Sequence, residues 1–219
     1  MSQKNSHAME YSIKLVFNRD GKVGIGSSKW WGAPDLPSGH PYPVVPCSED
    51  GDEWDEPLTF LCQIRCEDIA PFDPDNLLPH EGMLYFFAAV DYFLGLDCPV
   101  ETPMGEWDRR AVRVIYSPTC EGLEPYEMHY DNGDDVFFPA EALSFEACPA
   151  RDESFKLLGK PYLDEINEQY GNYVTLLQID GNDDWNLRFF DCGMLCILLS
   201  REDLANRRWE SAIGYLHSF

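Results

Sequence analysis

The sequence predicts a β-rich α+β protein, mostly antiparallel sheet built from an internal duplication, with few short helices. Three observations predict it. The segment KWWGAPDL at residues 29–36 returns as KLLGKPYL at 156–163. Each copy is followed by a β-type run ending in Gln-Ile (58–64 and 174–179) and then by Gly-Met-Leu opening a second apolar run (82–90 and 193–199). Apolar runs punctuated by Gly and Pro also outnumber helical patterns, and most can pair with a close neighbour. The chain therefore reads as one domain over residues 1–219, made of two repeats at about 28–116 and 155–210.

Taken in order, residues 11–17 alternate Tyr11, Ile13, Leu15 and Phe17, the period of a half-buried strand. Gly21, Gly24 and Gly26 mark a turn, since no GK[ST] ending or helical pattern follows to make a phosphate loop. Between 32 and 57 stand six prolines and the acids Glu49, Asp50, Asp52, Glu53, Asp55 and Glu56, which predicts an extended, exposed loop. Residues 58–65 read as a central strand, in which Gln63 needs a partner. Only a helical turn fits 67–72 before Pro74 and Pro79.

Strands are predicted at 82–91 and 111–116, a turn at Asp131-Asn132-Gly133, a short strand at 136–138 and a short helix at 139–145. The clearest helix is 161–170, with Leu163, Ile166 and Tyr170 on one face and Gly171 to stop it. Strands at 173–180, 187–190 and 193–200 complete a meander, and Ser200 with Asp203 forms a capping box for a helix to about Arg208. The shared Gly and shared Gln are 31 residues apart in the first copy and 19 in the second, so the acidic segment is the first copy's insertion.

Charge narrows the partners. With 16 Lys and Arg against 39 Asp and Glu the formal charge is −23, which repels nucleic acid and favours a basic protein or a cation. No stretch approaches the ~20 apolar residues that a bilayer needs, and no signal-peptide pattern opens the chain, so no membrane contact and a cytoplasmic location are expected. Among the eight cysteines, Cys62, Cys66, Cys192 and Cys196 sit in apolar runs and read as small buried hydrophobes.

Catalytic signatures are missing. The five histidines have no flanking motif and there is no GxSxG, so no catalytic residue is assigned. The i, i+4 cysteine pairs are about 13 Å apart on strands at ~3.3 Å per residue, too far for one zinc ion. Asp180, Asn182, Asp184 and Asp191 partly match a calcium loop, but Trp185 occupies the place that wants Gly, and a simple acidic hairpin fits better. Neither metal nor cofactor is expected.

Binding residues remain. Adjacent residues of an extended segment point to opposite faces, so one of Trp30 and Trp31 is core and the other exposed or facing a groove. Trp54, amid the acidic run, is a candidate apolar anchor for a docking strip. Gln63 and Gln178, with Trp31 and nearby acids, are the candidate lining of a cleft between the repeats, and Asp180, Asp184, Trp185 and Asp191 of the acidic hairpin at 180–191 complete the candidates.

The ordered set Trp31, Gly32, Pro34, Leu36, Pro37; Pro57, Leu58, Phe60, Leu61, Gln63, Ile64; Gly82, Leu84, Tyr85, Phe86, Phe87; Leu158, Gly159, Pro161; and Leu176, Leu177, Gln178, Ile179, Asp180 with Asp191, Gly193, Asp203 and Leu204 resembles the YwqG-like family of bacterial cytosolic proteins. The likeness spans about residues 28–210. Phe189 and Phe190 stand where the family pattern has Trp-Gly, and a Gln common after the Gly-Pro segment is missing. The resemblance implies a β-rich duplicated fold and membership among immunity-type and interaction proteins. Two readings follow: an interaction module for a basic partner, or a small-molecule binder or enzyme with its site between the repeats.

Overall fold

The computed structural model describes residues 10–90, 104–185, 187, 189 and 193–218. Fifteen strands carry them: β1 (Tyr11–Asn18), β2 (Lys29–Trp30), β3 (Asp35–Pro37), β4 (Val44–Glu49), β5 (Asp52–Pro57), β6 (Thr59–Arg65), β7 (Met83–Ala88), β8 (Gly105–Glu106), β9 (Val112–Ser117), β10 (Leu123–Pro125), β11 (Glu141–Pro149), β12 (Lys156–Leu157), β13 (Tyr173–Asp180), β14 (Gly193–Ser200) and β15 (Ile213–Ser218). The α-helices are short: α1 (Cys66–Ile69), α2 (Asp164–Gln169) and α3 (Arg201–Ala205). Among the described residues no helix is long and apolar enough to cross a membrane.

Eleven strands form one antiparallel sheet in the order β8-β15-β14-β13-β12-β1-β11-β2-β6-β7-β9. Its middle is the eight-residue pairing of β1 with β11, from Tyr11↔Pro149 to Asn18↔Ala142. Outward from that pair, β2, β6, β7 and β9 follow on one side and β12, β13, β14 and β15 on the other. The halves are interlocked there. β12 pairs with β1 through Ile13↔Leu157, and β2 pairs with β11 through Glu141↔Trp30.

The sheet curls until its ends meet. A β-carbon on Gly214 of β15 would lie 2.8 Å from Val112 Cγ2 of β9 and 2.9 Å from Trp107, so only glycine permits this approach. Strands β6, β7, β13 and β14 are buried along nearly their whole length, which explains their continuous apolar sequences. On β14 the alternation separates two cores. Leu195, Ile197 and Leu199 face the main core inside the curl, while Met194, Cys196 and Leu198 pack with Leu163, Ile166 and Tyr170 of the α2 region outside it.

Several sequence expectations need correction. The acidic segment is not a loop but a hairpin of β4 and β5, a separate two-stranded sheet closed at Asp50-Gly51. Both turn residues have positive φ, 50° and 95°, as a tight hairpin turn requires. The helix expected at 139–145 is replaced by β11, because pairing on both edges outweighs the helix preference of Ala140, Glu141 and Ala142. No strand forms at 136–138, and the bridge beside it is His129↔Asp135.

The helix expected at 161–170 shortens to α2, since Leu163 is extended (φ −80°, ψ 136°) and the chain before it is tied to β13 by the Tyr162 N–H donating to the Gln178 side chain. The capping box holds, with Ser200 Oγ accepting from the Asp203 N–H at 3.0 Å, although α3 stops at Ala205. Of the strand expected at 187–190, residues 188 and 190 lie outside the described set, and Leu187 forms one bridge with Asn182.

Candidate functional site

Three features gather the candidate residues. The first is an aromatic groove at the seam of the halves. Trp30 ends β2 in extended geometry, whereas Trp31 takes a left-handed backbone (φ 54°), so the two rings lie on one side, 5.4 Å apart, instead of on opposite faces. Both are buried. Trp185, from the β13–β14 connection, stacks on Trp30 at 5.5 Å and meets Trp31 edge-on at 5.1 Å. Phe17 and Phe155 close the inner side against Trp30.

Outward, Trp31, Phe138 and Trp185 line a groove of about 490 Å³. Its charged rim is one connected network. Glu141 Oε1 accepts from Trp185 Nε1 at 2.7 Å and lies 3.4 Å from Arg19 Nε, while Arg19 Nη2 donates to Asp184 Oδ2 at 2.9 Å. Arg19, Phe138 and Glu141 escaped the sequence reading. Nothing local marks them, since strand pairing between distant segments brings them to the seam.

The second feature is a pair of buried polar lattices, one in each half. In the first, Lys29 stands opposite Gln63 in the β2–β6 pairing and donates to Asp35 Oδ1 at 2.9 Å. Gln63 Nε2 donates to Asp35 Oδ2 (2.7 Å) and to Ser27 O, while its Oε1 accepts from the Asp35 N–H (2.8 Å). Asp35 Oδ2 also accepts from the Gly26 N–H, and Tyr85 Oη donates to Asp35 O. Burial pushes the Lys29 ammonium below its ordinary pKa, and Asp35 pulls part of the way back.

In the second half, Lys156 stands opposite Gln178, and Gln178 Oε1 accepts from the Tyr162 N–H as Gln63 Oε1 does from that of Asp35. Tyr162 therefore stands in the corresponding place, where it offers Lys156 no carboxylate. The lysine Nζ donates instead to Ala150 O (2.9 Å) and Lys160 O (2.8 Å), with the residue fully buried. Gln178 Nε2 donates to Asp152 O and Ser154 O. Gln63 and Gln178 thus tie backbone together inside the protein, away from the groove, rather than lining a cleft.

The third feature is the acidic hairpin. Val45, Cys47 and Trp54 face inward, whereas Glu49, Asp50, Asp52, Glu53 and Asp55 are exposed. Trp54 is not a free anchor at the centre of the strip. It is half-buried, packs on the main core, and its Nε1 donates to Glu56 Oε2 at 3.1 Å. Asp180 accepts from the Gly181 N–H and stays apart from these features, and burial raises its carboxyl above the usual range. Asp191 lies outside the described residues.

The family described as "Domain of unknown function (DUF1963)" matches residues 28–158 and 147–216. The chain belongs to this family. In this DUF1963 member the matched segments take in the second lattice, the hairpin and most of the first lattice and of the groove, while Gly26, Ser27 and Arg19 fall outside them. No curated protein matches the chain.

The DUF1963 segment around Lys156 yields a pH prediction. Burial lowers the Lys156 pKa to about 8 from 10.5, so between these values the unfolded chain keeps a proton that the folded chain releases. Stability from this group is least below about pH 8 and rises as pH climbs to about 10.5, by about 3 kcal/mol in all. Buried thiols act in the opposite direction, since burial raises Cys66 and Cys196 to about 12. The test is therefore a difference: urea unfolding of wild type and Lys156→Met at several pH values should show the wild type gaining on the variant across that window.

Proposed function

We propose that this DUF1963 member is an acidic interaction module that engages a basic protein, and that the β4–β5 hairpin is its principal contact. The reading rests on one observation: five carboxylates, Glu49, Asp50, Asp52, Glu53 and Asp55, are exposed on a hairpin that joins no other strand among the described residues. Charge so concentrated on a chain of net −23 steers a cationic partner and holds it by many exposed contacts. The placement among YwqG-like proteins and the immunity-type role that goes with it are the finer form of this proposal. A cytoplasmic setting belongs to the same proposal. We also propose that the halves descend from one duplicated segment, as the matching Lys-Gln pairings and the left-handed Trp31-Gly32 and Leu158-Gly159 turns support.

The test neutralises the five hairpin acids to Asn or Gln and titrates a short lysine- and arginine-rich peptide by calorimetry. A control variant neutralises Glu121, Glu124, Glu127, Glu146 and Glu168, exposed acids elsewhere, for the same change in charge. The hairpin variant should lose about tenfold or more in affinity and the control much less. Equal losses would reduce the hairpin to its share of the net charge.

A second reading, a ligand site at the seam, is favoured by the groove lined by Trp31, Phe138 and Trp185.

A further inference from the structure

We infer that the seam groove takes the guanidinium group of an arginine carried by a partner polypeptide, and that Arg19 is the internal cation this arginine displaces. The walls come first. Trp31 packs against Phe138 at 5.2 Å and Trp185 at 5.1 Å, and Phe138 is 37% exposed, so aromatic surface is open to a group entering the groove. Aromatic faces attract cations, and a guanidinium both stacks on them and presents a planar fork of N–H donors.

The rim supplies the matching charge. Glu141 is the fixed carboxylate, only 12% exposed and held through Oε1 by Trp185, while its buried Oε2 accepts no hydrogen bond among the described residues. Asp184 is the loose one, with a side chain 69% exposed. The protein bridges the two with a guanidinium of its own, at 3.4 Å and 2.9 Å. That bridge shows which chemistry the rim accepts.

Arg19 is displaceable because its side chain is 56% exposed, its pair with Asp184 is of the exposed kind that contributes little, and its contact with the less exposed Glu141 is the longer one, at 3.4 Å. Other ligands fit less well. An anion meets two carboxylates on a strongly acidic chain, and a neutral flat group strips water from those carboxylates without replacing it. A lysine ammonium has no planar fork to span both.

The inference rests on the basic-partner reading for the source of the arginine, but its test does not. The indole N–H signals of Trp31 and Trp185 are followed by NMR in the full chain while Nα-acetyl-arginine amide is added, with the citrulline and lysine amides as uncharged and non-planar controls. The arginine compound should shift both signals saturably, Arg19→Ala should bind it about fivefold more tightly, and adding Asp184→Asn to Arg19→Ala should reverse that gain. The citrulline compound should leave the signals in place, and the lysine compound should bind more weakly.

No saturable shift in Arg19→Ala would overturn the assignment, as would an equal response to citrulline or lysine, or a gain indifferent to Asp184→Asn. Arginine binding in the groove together with an unchanged hairpin variant would keep this site and remove the hairpin. The converse would remove this site alone.

Discussion

Replacing Asp35 with alanine should destabilise the folded chain by about 3–5 kcal/mol, the effect expected when one member of a buried ion pair is removed. Asp35 is 1% exposed and serves the Lys29 ammonium, Gln63 Nε2 and the Gly26 N–H together. Its loss leaves a buried cation and two buried donors unserved, and that penalty exceeds whatever the intact pair contributes. The second half shows how a buried lysine survives without a carboxylate: Lys156 has two backbone carbonyls turned toward it. Lys29 has the carboxylate of Asp35 in that role. Asp35→Asn, which keeps the shape and one acceptor, should cost less than Asp35→Ala, and Lys29→Met made in the Asp35→Ala background should recover part of the loss. Urea unfolding midpoints of the four proteins decide this, and an Asp35→Ala protein as stable as wild type would contradict it.

Gln178→Leu should cost about 2–3 kcal/mol, because the partly buried Tyr162 N–H loses its acceptor and Asp152 O and Ser154 O lose a donor at one stroke. The leucine fills much of the space, so the penalty is mostly polar, not cavity. Gln178→Glu, which sets a buried carboxylate oxygen against the Asp152 and Ser154 carbonyls, should cost at least as much as Gln178→Leu at neutral pH. Thermal unfolding gives the order. A leucine variant indistinguishable from wild type would mean that the Gln does not hold the α2 segment to β13.

Much of the sheet was legible in the sequence because burial there follows simple periods. The alternation of Tyr11, Ile13, Leu15 and Phe17 marked β1, and the unbroken apolar runs of β6, β7 and β14 marked strands covered on both faces. The acidic hairpin escaped for a chemical reason: beyond Val44 its outward face is acid, Ser and Pro, which hides the inward Val45, Cys47 and Trp54. The Asp50-Gly51 turn was a signal that could have found it. β11 escaped because its partners, β1 and β2, are more than a hundred residues away.

The candidate site was legible in part. Trp30, Trp31, Asp184 and Trp185 do come together, but the shared orientation of the two tryptophans depends on a left-handed backbone at Trp31, which side-chain type does not announce. The lysine lattices were in view as the matching Lys29 and Lys156 of the two similar segments. A charge inside a strand run reads as surface until its partners, Asp35 in one half and backbone carbonyls in the other, are known.

Whether the hairpin captures a basic partner is decided by the association rate of the lysine- and arginine-rich peptide with wild type, the hairpin variant and the control variant over a range of ionic strength. The wild-type rate should fall by about tenfold or more as salt rises, the hairpin variant should show a clearly shallower dependence, and the control, with the same net charge as the hairpin variant, should stay close to wild type. A wild-type rate indifferent to salt, or identical slopes for the two variants, would contradict capture by the hairpin.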